Sequence, residues 1–369
     1  MRATRRCDRL RTPCLLALIV GSLTLIAACG FQRQVIDPSN TGADVKAVGD
    51  IDGDGDADVV AGDDGGFPLK WYENPSWTAR TIDSRSVFTT DMELGDVDRD
   101  GDIDVIVPDH PAGTLLWYSN PRKGGGGWQS RVIGTARPHD VQIGDQDGDG
   151  DVDVVTRGHV GETVLFVQGS PTSWSRRVLP APPGEGLGYG DLDRDGDLDV
   201  AQNGWWLEAP ANPITGTWIR HDFASGWPNM VAAEVVDVNK DGRNDIVLAT
   251  SESVGRMVWY RAPSAPRTGV WTGHVVSNSV DYVHQFVVAD IDLDGDRDIA
   301  FAEMAQSARK RVGWFVNSGN STGWSTAVIA TTGSHNIRAV DIERDGDIDL
   351  VGANWHSGPV ELWRNLIRN

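Results

Sequence analysis

Aspartates that alternate along a short loop are the most prominent chemical feature of this sequence. The pattern DxDxDGxxD, with minor variation, starts at Asp50, Asp96, Asp145, Asp191, Asp237, Asp290 and Asp341. Calcium takes roughly six to eight hard oxygen ligands, and alternate carboxylates on a tight glycine turn can supply them. In the first loop we expect Asp50, Asp52 and Asp54 to point inward, Asp56 to offer its backbone carbonyl and Asp58 to close the shell, while Gly55 permits the sharp turn. The pattern therefore predicts a calcium site.

The same arrangement recurs in the other six loops, which predicts up to seven calcium ions. Four of these loops have aspartate at all five positions, at Asp96, Asp98, Asp100, Asp102 and Asp104; Asp145, Asp147, Asp149, Asp151 and Asp153; Asp191, Asp193, Asp195, Asp197 and Asp199; and Asp290, Asp292, Asp294, Asp296 and Asp298. The fifth loop reads Asp237, Asn239, Asp241, Arg243 and Asp245, and the seventh reads Asp341, Glu343, Asp345, Asp347 and Asp349. With fewer carboxylates, the fifth loop is predicted to be the weakest site.

The alternative to metal binding is that these loops are solvated acidic turns. Seven repeats that keep the glycine in register favour metal. The loops also hold 33 of the 53 acidic residues, so the surface outside them is close to neutral. The net charge of -20 is thus no argument for a basic partner, and nothing predicts a nucleic acid partner.

A second set of polar residues lies six positions before the first aspartate of each loop. These residues are Asp44, Thr90, His139, Glu185, Val231, His284 and His335. If the repeats form a ring, equivalent positions lie at the same height along its axis. The three histidines and the acids are then expected to converge near one mouth of the central channel. They could hold a transition metal or act as acid and base on a sugar. Alternatively, they only cap strand starts. His139, His284, His335 and Glu185 are the catalytic candidates, and no standard catalytic motif accompanies them.

The spacing of the loops predicts the elements that position these residues. The loops start 46 to 53 residues apart, which matches one four-stranded propeller blade. Each period contains an alternating stretch before the loop, a β-branched run after it, an aromatic segment such as Trp71-Tyr72, and a segment that opens with a tryptophan such as Trp77. The sequence therefore predicts an all-β, seven-bladed propeller.

The two ends of the chain are expected to complete one blade. The seventh period stops after its third strand, at Glu361 to Asn365, whereas Gln32 to Asp37 resembles a fourth strand without a blade of its own. Ile36 precedes Asp50 by the same interval as Ile82 precedes Asp96. The N-terminal strand should therefore close the ring, which would leave no open sheet edge. Residues 29–369 are predicted to form this single domain.

The first 28 residues are predicted to be a lipoprotein signal peptide. An arginine-rich start is followed by an apolar run from Leu15 to Ala28, too short for a typical membrane span. The run ends in Ile26-Ala27-Ala28-Cys29, which resembles a bacterial lipobox and implies lipidation of Cys29. An ordinary cleaved signal with a chance cysteine is the alternative. We expect an exported protein, lipid-anchored in the cell envelope, at the outer membrane or cell surface of a bacterium.

Together these features resemble the FG-GAP or VCBS repeat family, whose relatives include the N-terminal propellers of integrin α subunits. Gly49 to Gly62 is close to a family consensus, and the resemblance covers about Phe31 to Asn369. It implies a seven-bladed propeller whose calcium loops join the first and second strand of each blade. The family includes adhesins and binding modules, and related propellers occur in polysaccharide lyases and a sugar dehydratase.

Three functions remain open at this point. The main hypothesis is a non-enzymatic binding or adhesion lipoprotein for a glycan or protein ligand. The alternatives are a carbohydrate-active lyase or dehydratase that uses the histidines, and a structural subunit of an envelope complex. Most tryptophans recur at fixed places and are expected to pack between blades, while Trp206 and Trp227 are off register and are candidate platforms for sugar stacking.

Overall fold

The computed structural model describes residues 26–27, 30–39, 42–121, 127–319, 321–355 and 357–368. Within these ranges all regular structure is β-strand, and the strands form seven sheets. The strands are β1 (Ile26–Ala27), β2 (Phe31–Asp37), β3 (Val45–Gly49), β4 (Asp58–Gly62), β5 (Leu69–Glu73), β6 (Thr78–Asp83), β7 (Glu93–Gly95), β8 (Asp104–Asp109), β9 (Thr114–Ser119), β10 (Gln129–Thr135), β11 (Asp140–Gly144), β12 (Asp153–Arg157), β13 (Thr163–Ser170), β14 (Ser173–Val178), β15 (Gly188–Gly190), β16 (Asp199–Ala201), β17 (Trp205–Glu208), β18 (Ile219–Asp222), β19 (Val231–Val236), β20 (Asp245–Thr250), β21 (Val254–Arg261), β22 (Thr272–Asp281), β23 (Phe286–Ala289), β24 (Asp298–Ala302), β25 (Val312–Asn317), β26 (Trp324–Ala330), β27 (Asn336–Val340), β28 (Asp349–Asn354) and β29 (Ser357–Asn365).

Each blade has four antiparallel strands, and in the first six blades these strands follow chain order. The first six blades are β3–β6, β7–β10, β11–β14, β15–β18, β19–β22 and β23–β26. The prediction of an all-β, seven-bladed propeller is therefore confirmed. Every acidic loop connects the first strand of its blade to the second, so all seven loops lie at the same end of the ring.

The seventh blade is built from both ends of the chain. Strands β27, β28 and β29 form its first three strands, and β2 is the outermost. β2 pairs antiparallel with β29, from Phe31 opposite Asn365 to Asp37 opposite Val360. Strand β27 of this blade also contacts β3 of the first blade. The short strand β1 lies parallel to β26 at the edge of the sixth blade.

The core consists of apolar layers between neighbouring blades. In the layer between blades one and two, Val60 and Trp71 of the first blade pack with Val105 and Tyr118 of the second. The second strand of each blade is buried on both faces, as in β4 and β24, because neighbouring blades cover it on both sides. The fourth strands lie at the rim, and several of them are mostly exposed, as in β6 and β10. Rigid blades thus hold the loops at both ends of the ring.

Among the described residues, no helix has the length and apolar character that crossing a bilayer requires. The predicted signal peptide, apart from Ile26 and Ala27, and the predicted lipidation site Cys29 lie outside the described residues.

Candidate functional site

The seven acidic loops share one backbone conformation. Their sixth position is glycine in every case, with φ between 81° and 100° at Gly242 and Gly196 respectively and intermediate values at the other five. Their fourth position also has positive φ, although four of the seven residues there are arginine or lysine. Side chains rarely tolerate this conformation, so the loop must be held in place by other contacts.

Those contacts come first from the aspartate that opens the loop, as the second and fifth loops show. The carboxylate of Asp96 accepts backbone N–H bonds from Asp100 and Gly101, both at 3.0 Å. Asp237 accepts the corresponding bonds from Asp241 and Gly242, at 3.0 and 2.7 Å. The opening carboxylate therefore folds the loop around itself, before any ion is considered.

The ninth aspartate ties each loop to the third strand of its blade. Asp58 accepts N–H bonds from Ile51 at 3.1 Å and from Asn74 at 2.8 Å. Equivalent pairs of bonds are accepted by Asp104 (from Val97 and Asn120), Asp153 (from Gln146 and Gln168), Asp199 (from Leu192 and Ala209), Asp245 (from Val238 and Ala262), Asp298 (from Ile291 and Asn317) and Asp349 (from Ile342 and Asn365). Sequence reasoning gave this residue only a ligand role, and its structural role was missed.

The carboxylates of a loop also converge on a common point. In the first three loops, oxygens of the first, third and ninth aspartates lie within 4.8 Å of one another. Buried oxygens of Asp50, Asp98 and Asp290 have no hydrogen-bond partner. Burial, with a further contribution from Asp52 and Asp54, raises the pKa of Asp58 to about 7. An oxygen-rich, crowded site of this kind is suited to a hard divalent cation.

Several loops have arginine side chains beside their carboxylates, and of those described here only Arg243 was placed there by the sequence. In the fifth loop, the guanidinium groups of Arg243 and Arg261 contact Asp241, the latter at 3.0 Å. In the fourth, Arg267 lies 2.7 Å from Asp193 and 2.6 Å from Asp195. In the seventh loop the substituted acid, Glu343, pairs with Arg364 at 2.8 Å. The loops therefore differ in how much of their negative charge remains free for an ion.

The residues six positions before each loop, which we call the histidine register, lie at the end of the first strands that faces away from the acidic loops. The structure brings several of them together. The ring centroids of His139 and His284 are 5.4 Å apart, and those of His284 and His335 are 4.1 Å apart and stacked. Glu185 lies between the first two, with Oε1 3.6 Å from His139 Nε2 and Oε2 3.9 Å from His284 Nε2. We call His139, His159, Glu185, Glu252, His284 and His335 the histidine mouth.

Two members of the histidine mouth were missed from the sequence. His159 Nδ1 lies 3.5 Å from Glu185 Oε1, and a ligand atom of Glu252 lies within 4.8 Å of both Glu185 and His284. Both residues occupy loops between the second and third strands, which reach the same end of the ring as the start of the first strand. An antiparallel blade requires this placement, so the signal was present in the predicted strand order.

Charge and burial divide the histidines into two kinds. Burial disfavours protonation of His139, but the charges of Asp140 and Glu185 outweigh it and raise its pKa to about 9. Burial and the neighbouring His335 and His139 lower the pKa of His284 well below its usual value. Burial also raises the pKa of Glu185 to about 7. The mouth can therefore both hold and release protons near neutral pH.

His335 forms a separate contact with the first blade. Its Nδ1 lies 2.6 Å from Asp44 Oδ1, and Thr90 donates its backbone N–H to Asp44 Oδ2 at 3.0 Å. Burial opposes ionisation of Asp44, but His335 holds the pKa of this carboxyl well below its usual range. Three members of the predicted register thus join blades seven, one and two. This contact fits the alternative that such residues brace strand starts.

Two cavities adjoin the histidine mouth. A channel cavity of about 340 Å³ is lined by Asp91, Glu93, Asp140, Glu234 and Arg338, together with His284 and backbone of the first strands. A second pocket of about 400 Å³ opens on the outer side and is lined by His110, Arg137, Pro138, His139, His159 and Val160, among others. We call the second cavity the outer pocket. His139 lines the outer pocket and His284 lines the channel cavity, so the histidine mouth lies between the two.

One predicted sugar platform is wrong and the other is partly covered. Trp206 is fully buried and stacks on His221 with ring centroids 4.5 Å apart, so it cannot reach a ligand. Trp227 is half-buried, donates its indole N–H to Tyr260 at 2.7 Å, and has the guanidinium of Arg256 over its ring at 4.6 Å. Being off the repeat register did not imply exposure.

Comparison with known families identifies the repeat. A family described as FG-GAP-like repeat matches residues 50–107, 96–156, 237–301 and 290–352. Each match spans two acidic loops and the strands between them. A search of curated proteins found no match.

Solved structures share the architecture at low sequence identity. The BP39L lectin from Burkholderia pseudomallei is 14% identical with a TM-score of 0.59, over 90% of this chain and 98% of the lectin chain. BBS1N, solved in complex with ARL6DN, is 13% identical with a TM-score of 0.58, over 91% of this chain and 98% of that chain. At these identities the similarity establishes the fold alone.

Proposed function

This chain belongs to the FG-GAP-like repeat family, and from that membership we propose that it is a calcium-binding propeller that serves as a binding or adhesion module. Its ligand is a glycan or a protein. The chain itself is exported and lipid-anchored in the bacterial cell envelope. The observation that carries the binding role is the histidine mouth, which lies beside the outer pocket at the end of the ring opposite the acidic loops.

Calcium is supported by the donor set of the acidic loops. The converging atoms are all carboxylate oxygens, which calcium prefers. Unpartnered buried oxygens at Asp50, Asp98 and Asp290 would be costly without a cation, since an unmatched buried charge is strongly penalised. When bound, calcium would neutralise the crowded carboxylates of each loop. The residues of the loops would hold it, and the ninth aspartates already fix those loops to the blades.

The two ends of the ring differ in structure, and this difference supports a binding module. The acidic loops lie at one end, where backbone N–H bonds use many of their oxygens. The other end carries an outer pocket with exposed polar and apolar groups, such as Arg137 and Val160. A concave site on a rigid scaffold is the usual location of a ligand in such folds.

The two structural neighbours illustrate both proposed ligand classes. One is called a lectin, and the other was solved in complex with a second protein. The proposal for this chain rests on its own outer pocket and not on those neighbours, because propellers of one shape carry many functions.

The anchor is proposed from the sequence, since Cys29 lies outside the described residues. Expressed in a bacterium with labelled palmitate, the full-length chain should incorporate the label and fractionate with membranes. Cys29→Ser should abolish both. Label-free protein in the soluble fraction for both forms would contradict the proposed anchor without affecting the proposed ligand site.

A second candidate, a carbohydrate-active enzyme of the lyase or dehydratase type, is favoured by one contact. His139 and Glu185 lie 3.6 Å apart, and the pKa values of both are shifted so that a proton can be held or released near neutral pH. Activity on acidic polysaccharides that disappears in His139→Ala and His284→Ala, with folding intact, would favour the enzyme.

Ligand binding can be tested with the outer pocket itself. Screening the chain on glycan arrays and by affinity capture from envelope extracts should give a ligand, which is then verified with purified material. Arg137→Ala should weaken the verified interaction by roughly tenfold or more, because a charged contact with the ligand is lost. Arg80→Ala, on the outer strand of the first blade, is the matched control and should have no effect. Equal affinity of both variants would contradict the proposed site.

A further inference from the structure

We propose that His139, His159 and Glu185 hold one divalent transition-metal ion of the zinc type, at a site distinct from the acidic loops. This inference does not depend on the identity of the glycan or protein ligand. It concerns a metal of different chemistry at the other end of the ring.

The separations of the three ligand atoms fit a tetrahedral ion. His139 Nε2 lies 3.6 Å and His159 Nδ1 lies 3.5 Å from Glu185 Oε1, and the three residues each offer a ligand atom within 4.8 Å of those of the other two. Metal–ligand bonds of about 2.0–2.1 Å in a tetrahedron place the ligand atoms about 3.3–3.5 Å apart. Small adjustments of exposed His159 would therefore complete the arrangement.

Neighbouring groups already orient two of the ligands. Asp140 Oδ1 lies 3.2 Å from His139 Nδ1, and Asp140 Oδ2 accepts the backbone N–H of Gly186 at 2.8 Å. With the Nδ1 proton directed at Asp140, the lone pair of Nε2 faces Glu185. Ser251 donates its hydroxyl to Glu185 Oε2 at 3.0 Å and so fixes the other ligand. A carboxylate that orients a ligating histidine in this way is a recurring feature of zinc sites.

The donor atoms discriminate against calcium. Two imidazole nitrogens and one carboxylate match zinc, whereas calcium binds oxygen donors almost exclusively. The acidic loops supply only oxygen, so the chain would sort two kinds of cation to its two ends. His284 and Glu252 lie on the Oε2 side of Glu185 and are further donors within reach.

The site would also be accessible. The side chain of His159 is 48% exposed, whereas that of Glu185 is 4% exposed. Both histidines line the outer pocket of about 400 Å³. Three protein ligands leave a coordination position for water or for a ligand atom, as in zinc sites that act on or bind small molecules. The class of ligand favoured at that position is one with a carboxylate or hydroxyl oxygen.

The same contacts are compatible with a simple ion pair. A protonated His139 could pair with Glu185, and no metal would then be needed. The two cases differ in metal uptake, which can be measured without knowing any ligand or activity.

The experiment is a titration of the tag-free, full-length chain with Zn²⁺ and with Co²⁺, after chelation and re-equilibration in excess calcium. Isothermal titration should detect one site per chain that persists in calcium, and Co²⁺ should give the visible absorption of a four-coordinate site. His159→Ala, at an exposed position that should not disturb folding, should weaken this binding by at least tenfold. Glu185→Gln should act in the same direction.

His110→Ala is the matched control, because His110 lines the same pocket but pairs with Asp64 at 3.2 Å, outside the site. It should bind both metals like the unmodified chain. Absence of stoichiometric binding in calcium, or equal binding by His159→Ala and the unmodified chain, would overturn the proposal and leave the ion pair. Neither outcome would bear on ligand binding through Arg137.

Discussion

Arg267 of the fifth blade reaches into the fourth acidic loop and lies 2.7 Å from Asp193. The same guanidinium contacts Asp195 at 2.6 Å and Glu208 at 2.9 Å. A loop that looks fully acidic in sequence is thus partly neutralised by an arginine more than seventy residues away. The seven loops are therefore not equivalent sites.

The first prediction follows from that contact. Arg267→Gln should tighten calcium binding at the fourth loop by roughly threefold to tenfold, because a competing positive charge is removed. Calorimetric titration of calcium into the chelated chain measures the change. Arg256→Gln, whose guanidinium lies over Trp227 away from the loops, is the control. If Arg267→Gln binds calcium no better than this control, the arginine does not compete.

The second prediction compares the opening aspartates of the third and fifth loops. Asp145 and Asp237 each accept two backbone N–H bonds, so their replacement by alanine removes the same number of turn contacts. In calcium, Asp145→Ala should lower the melting temperature by several degrees more than Asp237→Ala, because the third loop has more carboxylates for an ion. In excess EGTA the two melting temperatures should fall by similar amounts. An equal effect in calcium would mean that the number of carboxylates in a loop does not set its contribution to thermal stability.

The third prediction distinguishes the structural role of the ninth aspartate from the metal-binding role of the other loop aspartates. Asp104→Asn should reduce the free energy of unfolding by about 1–3 kcal/mol even without calcium, because an amide nitrogen cannot accept one of its two backbone N–H bonds. Urea denaturation in EGTA measures this. Asp100→Asn keeps the carbonyl oxygen that can accept the N–H of Asp102, so it should matter only in calcium. Two indistinguishable variants in EGTA would refute a metal-independent role.

The fourth prediction concerns pH. Burial raises the pKa of Glu234, in the channel, from 4.5 to about 7. Between these values the folded chain holds a proton that the unfolded chain has lost, so stability should fall as the pH rises through this window and level off above it. Glu234→Gln removes the group, and its melting temperature should therefore exceed that of the unmodified chain at pH 8 but match it at pH 4. Parallel melting curves across the range would show that Glu234 ionises normally.

Much of this architecture could be predicted because one period controls it. The interval between acidic loops set the number of blades, and the lone segment from Gln32 to Asp37 indicated the strand that pairs with β29. The convergence of the residues six positions before each loop could be predicted for the same reason, since the first strands of all blades start at one height. His139, His284 and Glu185 meet as that reasoning expected.

The rest depended on contacts that a repeat does not encode. His159 and Glu252 enter the mouth from loops outside the register that was used. Arg267 reaches the fourth loop from a connecting segment of another blade. Asp58 and its equivalents each accept two backbone N–H hydrogen bonds, and these require the loop and the third strand to be adjacent in space. The burial of Trp206 depends on its blade neighbours, and sequence position alone did not reveal it.

The proposed loading of the loops with calcium is the central claim, and metal analysis tests it most directly. The full-length chain, equilibrated with calcium and freed of unbound metal by gel filtration, should retain several calcium ions per chain, up to the seven that the loops allow, and EGTA should remove them together with many degrees of melting temperature. A chain that emerges without calcium, and melts at the same temperature in calcium and in EGTA, would contradict the account.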